Sequence, residues 1–168
     1  NPNLKAYNGE TALNSASKNG DLEVVQLLLD HKADINVKNN EGLTALSVAA
    51  QKGNIKTIQL LLENGANPNV KNDDGSTPLF IAIRESDIQI VRLLLSHKAD
   101  PNVRDQKGVT PLCIAVVGNG NPITKFRSDH KDGIRLSDLA YVARAGDPEI
   151  VQLLLINKAN PNVSLQTS

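Results

Sequence analysis

Short apolar segments with helical spacing alternate with polar stretches along most of the chain. In the first segment Val24, Val25, Leu28 and Leu29 recur at the three- and four-residue spacing of one helix face. The segments share a leucine triplet, which begins at Leu27, Leu60, Leu93 and Leu153. The pattern predicts short amphipathic helices. It predicts no membrane insertion, because no apolar run approaches the roughly 18–20 residues that a bilayer requires.

A threonine motif with a period of 33 residues precedes the first three of these segments, and a fourth copy follows them. Thr followed by Ala or Pro and then Leu begins at Thr11, Thr44, Thr77 and Thr110. Thr is a favoured N-cap, and Pro78 and Pro111 stand at the first helical position, where a missing N–H costs nothing. Each unit therefore predicts two helices, the first after Thr and the second around the leucine triplet. The predicted N-caps of the second helices are Asp21, Asn54, Asp87 and Asp147.

Polar residues recur between the helix pairs. An asparagine column comprises Asn3, Asn36, Asn69, Asn102 and Asn162. Turn signals such as Glu41-Gly42 and Asp74-Gly75 follow members of this column. A helix pair this short cannot bury its apolar face alone, so we expect the units to stack on copies of themselves.

The units resemble the ankyrin repeat, whose signature is Thr-Pro-Leu-His-x-Ala in a 33-residue period. Residues 77–82 (Thr-Pro-Leu-Phe-Ile-Ala) and 110–115 (Thr-Pro-Leu-Cys-Ile-Ala) match five of the six positions. The resemblance implies an all-α solenoid of stacked helix-turn-helix units with β-turn tips, as a single array over residues 1–168.

Two positions depart from the family pattern. The His of the motif is replaced by Asn14, Ser47, Phe80, Cys113 and Ala140. The glycine expected after the second helix is present as Gly65, whereas Lys32, Lys98 and Lys158 stand there in other units. A left-handed backbone at a non-glycine residue costs roughly 1–2 kcal/mol. We therefore expect Lys98→Gly to raise the melting temperature.

The first part of the chain divides regularly. Residues 1–7 are the expected tail of a preceding repeat, so we expect the sequence to be a fragment of a longer protein. The regular repeats are 8–39, 40–72 and 73–105.

The last part of the chain is irregular, because the fourth leucine triplet comes 27 residues late. In one interpretation, residues 119–136 are a loop insertion in a single repeat. In the other, which we favour, 106–131 is a truncated repeat and 132–168 is the last repeat. Phe126 would then fill a notch in the stack or be displayed to a partner.

Composition and charge disfavour several classes of function. The 18 basic and 18 acidic residues cancel, which disfavours a general nucleic-acid binder. Aromatic residues make up 2% of the chain, so few side chains could stack on nucleic-acid bases. A single cysteine excludes an internal disulfide. We expect no nucleic-acid partner and no small-molecule substrate.

The sequence gives little support for catalysis. His31 and His97 share a polar helix-end column, and His130 beside Asp129 is a weak metal signal. Cys113 has no His column near it and is expected to be a packed thiol. We therefore predict a protein that is not an enzyme and has no cofactor or metal.

One repeat position holds a column of cations. It comprises Lys5, Lys38, Lys71 and Arg104, and we call it the cation ladder. With repeats about 8–10 Å apart, the ladder would be some 30 Å long. It is either a solvated face that pairs with acidic tip residues, or a docking surface for an acidic segment of a partner.

The resemblance implies binding of another protein through the turn tips and the concave face of the first helices. The candidate protein-binding residues are Tyr7, Asn8, Glu10, Lys18, Lys38, Glu41, Leu43, Gln51, Lys52, Lys71, Asp73, Asp74, Ser76, Arg84, Glu85, Arg104, Lys107, Val109, Val117, Phe126 and Arg144. The apolar positions Leu43, Val109 and Val117 are expected to be exposed, because an interface core needs such residues.

We therefore expect a non-catalytic protein–protein interaction scaffold that is a monomer. The alternative is a structural spacer or an intramolecular regulatory region of a larger multidomain protein, such as a bacterial effector or toxin. The expected location is intracellular (cytoplasmic), or the host cytoplasm for a secreted effector.

Overall fold

The computed structural model describes residues 1–117 and 147–161, in which every regular element is a helix. In chain order the helices are α1 (Ala12–Asn19), α2 (Leu22–Asp30), α3 (Ala45–Lys52), α4 (Ile55–Glu63), α5 (Pro78–Arg84), α6 (Ile88–Ser96), α7 (Pro111–Val117) and α8 (Pro148–Ile156). The predicted all-α class is confirmed.

The helices form a two-layer stack. Each first helix contacts the second helix that follows it, which gives the pairs α1·α2, α3·α4, α5·α6 and α7·α8. The first helices also contact one another in the order α1·α3·α5·α7, and the second helices in the order α2·α4·α6·α8. Each pair therefore buries its apolar face against its neighbours, as the repeat pattern predicts.

Side-chain caps begin most of the helices. Thr11 and Asn14 form a reciprocal capping box at α1, and the Thr44 hydroxyl accepts from the Ser47 amide at α3. Asp21, Asp87 and Asp147 cap α2, α6 and α8 as predicted. Asn54 precedes α4 but makes no cap hydrogen bond. Its side-chain amide instead donates to the carbonyls of Ser17 and Lys18, which ties α4 to the end of α1.

Left-handed residues end the second helices. Lys32, Lys98 and Lys158 have φ of 60°, 66° and 66°, and Gly65 has φ of 86°. The predicted left-handed backbone is therefore confirmed at all three lysines. Ser86, with φ of 55°, is a further strained position. It follows α5, at the place where glycines follow α1 and α3.

An aliphatic core runs between the two layers. Leu13, Leu46, Leu79 and Leu112 of the first helices are at most 2% exposed. Val25, Ile58 and Val91 of the second helices are fully buried. Burial of a Leu or Val side chain contributes about 1.5–3 kcal/mol. The stack is therefore held mainly by these repeated columns.

The asparagine column joins each unit to the next. The side-chain oxygen of Asn36 accepts from the Asn67 amide at 2.9 Å, and that of Asn69 accepts from the Asp100 amide at 2.8 Å. Asn3 accepts from Asp34 in the same way. Asn162, the last member of the column, lies outside the described residues.

The fourth unit pairs α7 with α8. The Asp147 amide donates to the Ala115 carbonyl at 3.1 Å, just as the Asp87 amide donates to Ala82 at 3.0 Å. α8 also contacts α6. These contacts show that α7 and α8 form one helix pair, as the other first and second helices do. Residues 118–146 lie outside the described ranges, so the boundaries proposed there stay predictions.

Candidate interaction surface

Each turn tip is a short loop closed by backbone hydrogen bonds. In the second unit the Asn39 amide donates to the Leu43 carbonyl at 2.9 Å, and the Gly42 amide donates to the Asn39 carbonyl at 3.0 Å. Gly42 has φ of 73°. A Cβ at this position would lie 2.7 Å from the Asp73 nitrogen of the next tip. Glycine is therefore required both by the turn and by the close approach of its neighbour.

Backbone hydrogen bonds also link one tip to the next. The Asn40 amide donates to the Asn8 carbonyl at 3.2 Å, and the Gln106 amide donates to the Asp74 carbonyl at 3.0 Å. A longer contact of 3.4 Å joins the Asp73 amide to the Glu41 carbonyl. The tips therefore form one continuous row, on which their side chains have fixed spacing.

A groove lies between the second and third tips and the helices beneath them. Its volume is about 500 Å³. It is lined by Asn40, Glu41, Leu43, Gln51, Asn72, Asp73, Asp74, Ile81, Arg84 and Glu85. We call it the tip groove. Seven of these residues were predicted from the sequence to be contact residues, namely Glu41, Leu43, Gln51, Asp73, Asp74, Arg84 and Glu85.

The tip groove is acidic. Asp74 pairs with Arg84, whose Nη1 lies 3.8 Å from Asp74 Oδ2. Arg84 Nη2 also donates to the Ser76 hydroxyl. Glu41, Asp73 and Glu85 are exposed, and none of the ion pairs found among the described residues includes them. The groove therefore presents carboxylates that its own arginine does not neutralise.

Asp74 is held in the ionised form. Partial burial raises the pKa of its carboxyl group, but this effect is outweighed. Hydrogen bonds from the Ser76 hydroxyl and amide and the positive charge of Arg84 lower the pKa, and the net result lies below the ordinary value. The hydrogen bond that the Ser76 backbone amide donates to Asp74 Oδ1 is 2.7 Å long. The groove therefore keeps this negative charge at neutral pH.

Models of known families match nearly the whole chain. A model of three consecutive ankyrin repeats matches residues 1–72 and 49–134, and a single ankyrin repeat matches residues 139–165. The chain belongs to the ankyrin repeat family. None of the curated proteins compared with it matches. Ankyrin repeats generally mediate protein–protein interaction and are typically non-catalytic.

Most of the predicted contact residues lie at the surface of the ankyrin array. Those with exposed side chains are Tyr7, Asn8, Lys18, Lys38, Glu41, Gln51, Lys52, Lys71, Asp73, Asp74, Glu85, Arg104 and Lys107. Glu10 and Arg84 are half-buried. Phe126, Arg144 and the side chain of Val117 lie outside the described residues, so their predicted roles stay predictions.

One column of predicted contact residues is buried instead. Leu43, Ser76 and Val109 are 8%, 1% and 5% exposed, so the expected exposure of Leu43 and Val109 is wrong. The chain turns back toward the stack immediately after the tip glycine, and these side chains point into the core beneath the tips. Glu10 occupies the same column in the first ankyrin unit and is less covered.

The cation ladder makes contacts within the array. Lys5 Nζ donates to the Lys38 carbonyl at 2.8 Å, and Lys71 Nζ donates to the Arg104 carbonyl at 2.9 Å. Arg104 donates to the Gly108 carbonyl of its own tip at 3.3 Å. One of the two interpretations has acidic tip residues pair with the ladder. The partners found for Lys5 and Lys71 are backbone carbonyls of the next repeat, and the docking of an acidic segment stays a prediction.

The histidine column has a helix-end role. His31 Nδ1 lies 2.8 Å from the Leu27 carbonyl, and His97 Nδ1 lies 2.9 Å from the Leu93 carbonyl. Asn64 occupies the same place and donates to the Leu60 carbonyl. The same carbonyls also accept the backbone amides of His31, Asn64 and His97, so each side chain adds a second hydrogen bond at the end of its helix. His130 and its acidic neighbours lie outside the described residues.

The described residues contain neither a group of three or more His, Cys, Asp or Glu side chains placed to hold a metal ion nor a helix of the length and apolarity needed to cross a membrane. Cys113 is buried as predicted. Its Sγ lies 3.3 Å from the Thr110 hydroxyl at the start of α7.

Three lining residues of the tip groove were missed by the sequence analysis. Asn40, Asn72 and Ile81 line it beside the predicted residues. Asn40 also donates from its side chain to the Tyr7 carbonyl at 3.1 Å. The 33-residue period could have identified Asn40, because it occupies the same repeat position as Tyr7 and Asp73, both of which were selected.

Proposed function

We propose that this ankyrin array binds a protein partner on the surface formed by its tips and first helices, with the tip groove at the centre. The observation that supports this most is that some polar residues bond to neighbouring repeats whereas others line the groove. Asn36, Asn69 and Lys71 bond to neighbouring repeats, whereas Glu41, Asp73 and Glu85 line the groove and belong to none of the ion pairs found among the described residues.

The charge of the groove indicates which kind of partner would bind there. In the third unit Arg84 pairs with Asp74, and in the first unit Lys18 lies 3.9 Å from Glu10. The second unit has the uncharged Gln51 at the position of Lys18 and Arg84. Glu41 therefore has no cation at that position in its own repeat. A partner segment with lysine or arginine side chains complements this surface, and long-range attraction would speed its association.

The partner is a protein in this proposal, and the array acts without catalysis as a monomer. Binding to nucleic acid is disfavoured by the same carboxylates, since phosphates would be repelled. An intracellular location belongs to the proposal as well. The tips and first helices supply a surface that is already in place before binding.

Neutralisation of the groove tests the proposal. The variant Glu41→Gln/Asp73→Asn/Glu85→Gln removes three negative charges with little change of shape. A matched control, Glu23→Gln/Asp30→Asn/Glu63→Gln, removes three exposed charges from the α2–α4 side of the array. The wild-type array, the groove variant and the control variant would each be immobilised and used to capture partners from a cell extract at low and high salt.

Proteins captured by the wild-type array and the control, but lost by the groove variant, would support the proposal. Their association rates should fall as salt concentration rises, because exposed charges are screened. Equal capture by all three arrays, or loss only with the control, would contradict it.

A further inference from the structure

The fourth turn tip carries the opposite charge to the two tips that border the groove. The repeat position that holds Glu41 and Asp74 in the second and third tips holds Lys107 in the fourth. The position before it holds Asp73 in the third tip and the uncharged Gln106 in the fourth. The row of tips therefore changes from acidic to basic over one repeat.

The charge of Lys107 faces solvent. Its side chain is exposed, and none of the ion pairs found among the described residues includes it. The carboxylate of Asp105 bonds to the backbone of its own tip, because its Oδ1 accepts from the amides of Lys107 at 2.9 Å and Val109 at 2.8 Å. Arg104 donates to the Gly108 carbonyl of the same tip. Lys107 is therefore the charged side chain that this tip presents to a partner.

Hydrogen bonds hold the fourth tip against the third. The Gln106 backbone amide donates to the Asp74 carbonyl at 3.0 Å, and the Gln106 side-chain amide donates to the Asp73 carbonyl. The two backbones approach so closely that a Cβ on Gly75 would lie 2.7 Å from the Gln106 nitrogen. The position of Lys107 relative to the acidic groove is therefore set by the fold.

We propose that the partner segment bound at the tip groove carries charged residues of both signs in a fixed order, with basic residues over the groove and acidic residues at Lys107. This inference rests on the proposed function and adds the charge pattern of the partner. With repeats about 8–10 Å apart, Lys107 lies roughly 12–15 Å from the middle of the groove. An extended segment covers that distance in about four residues, at roughly 3.3 Å per residue.

The order of the charges matters more than their sum. A uniformly basic segment along the row would place a cation against Lys107, and like charges across an interface oppose binding. A segment of alternating sign would place carboxylates among Glu41, Asp73 and Glu85. The array should therefore prefer a segment whose basic and acidic residues are separated.

Two capped fluorescent peptides of equal composition test the inference on the full chain. In the separated peptide, three lysines are followed by a Gly-Ser spacer and two glutamates. In the alternating peptide, lysine and glutamate alternate and the Gly-Ser pair follows them. Both peptides carry the same net charge. A difference in Kd, measured by fluorescence anisotropy at low salt, therefore reports the order of the charges.

Two charge reversals serve as test and matched control. Lys107→Glu is the test, because Glu41 already places glutamate at this repeat position. Lys56→Glu is the control, because it makes the same change at an exposed residue of α4 whose equivalent in α2 is Glu23. Neither substitution should change the melting temperature appreciably, since no hydrogen bond of either lysine side chain is found among the described residues.

The wild-type array and Lys56→Glu should bind the separated peptide about fivefold or more tightly than the alternating peptide, and Lys107→Glu should lose this preference. Equal affinities of the two peptides for the wild-type array would overturn the inference, as would a preference that Lys107→Glu leaves unchanged. A second copy of the chain as the occupant would also overturn it, and would appear in analytical ultracentrifugation as a dimer that Lys107→Glu dissociates.

The groove variant separates this inference from the proposed function. Glu41→Gln/Asp73→Asn/Glu85→Gln should weaken binding of the separated peptide. Weakened binding together with equal affinities of the two peptides for the wild-type array would overturn the charge order alone. Unchanged binding would contradict the proposed function as well. No measurable binding of either peptide would overturn the charge order, whereas the capture experiment would still decide the proposed function.

Discussion

The backbone amide of Asn160 donates a hydrogen bond of 2.7 Å to the side-chain oxygen of Asn102, although 58 residues separate them. Asn69 and Asp100 make the same bond across 31 residues. Asn102 also donates to the Lys158 carbonyl at 3.1 Å, as Asn69 does to Lys98. The asparagine column therefore spans the irregular part of the sequence without a change in its geometry.

The first prediction concerns the asparagine column. Asn69→Ala should lower the free energy of unfolding by about 1–3 kcal/mol, because it leaves the Asp100 amide and the Lys98 carbonyl without their side-chain partner. Asn19→Ala is the control, since no side-chain hydrogen bond of Asn19 is found among the described residues. Urea denaturation measures both. An equal effect of the two substitutions would show that the bond contributes nothing.

The second prediction concerns the left-handed lysines. Lys98→Gly should stabilise the protein by about 1 kcal/mol, because glycine adopts φ of 66° without strain. Ser86→Gly should act in the same direction. Lys56→Gly is the control and should destabilise by about 1 kcal/mol, because Lys56 lies inside α4. A loss of stability in Lys98→Gly, measured by thermal unfolding, would rule out the strain.

The third prediction separates two members of the cation ladder. Lys71→Met keeps the aliphatic chain but loses the bond to the Arg104 carbonyl, so it should destabilise by about 0.5–1.5 kcal/mol. Lys38→Met should be nearly neutral, because no hydrogen bond of Lys38 Nζ is found among the described residues. If both substitutions leave the urea midpoint unchanged, the bond contributes nothing.

The fourth prediction concerns the order of the second helices. Arg92 Nη2 lies 2.6 Å from Glu149 Oε1, which places α6 beside α8. Spin labels at Arg92→Cys and Glu149→Cys, in a Cys113→Ser background, should therefore give a short distance by pulsed electron paramagnetic resonance. The control pair is Gln59→Cys and Gln89→Cys, at the equivalent positions of α4 and α6.

The two label pairs should give the same distance. A truncated repeat between α6 and α8 would lengthen the first distance by one further helix-packing distance, about 8–10 Å. That result would support the division into 106–131 and 132–168.

The regular part of the fold was predictable from the sequence because its signals are local. Thr11 and Thr44 mark helix starts by their own hydrogen bonds, and the leucine triplets mark the second helices. The strain at Lys32 and Lys98 followed from comparison with Gly65. Ser86 was missed, although Gly20 and Gly53 occupy the same repeat position.

The surface was less predictable, because it depends on contacts between repeats. The burial of Leu43 and Val109 follows from the path of the chain after the tip glycine, which composition does not reveal. From the sequence alone, hydrogen bonds from Lys5 and Lys71 to carbonyls 33 residues away could not be distinguished from ion pairs with acidic tip residues. The pairing of α7 with α8 is likewise a contact between distant segments.

If the tips and first helices bind the partner, their backbone amides should be protected in the complex. Hydrogen exchange of the array is measured with and without a captured partner. Exchange should slow around 40–43, 72–76 and 81–85, with little change in α2, α4 and α6. Protection confined to these second helices, with none in the tip groove, would contradict it.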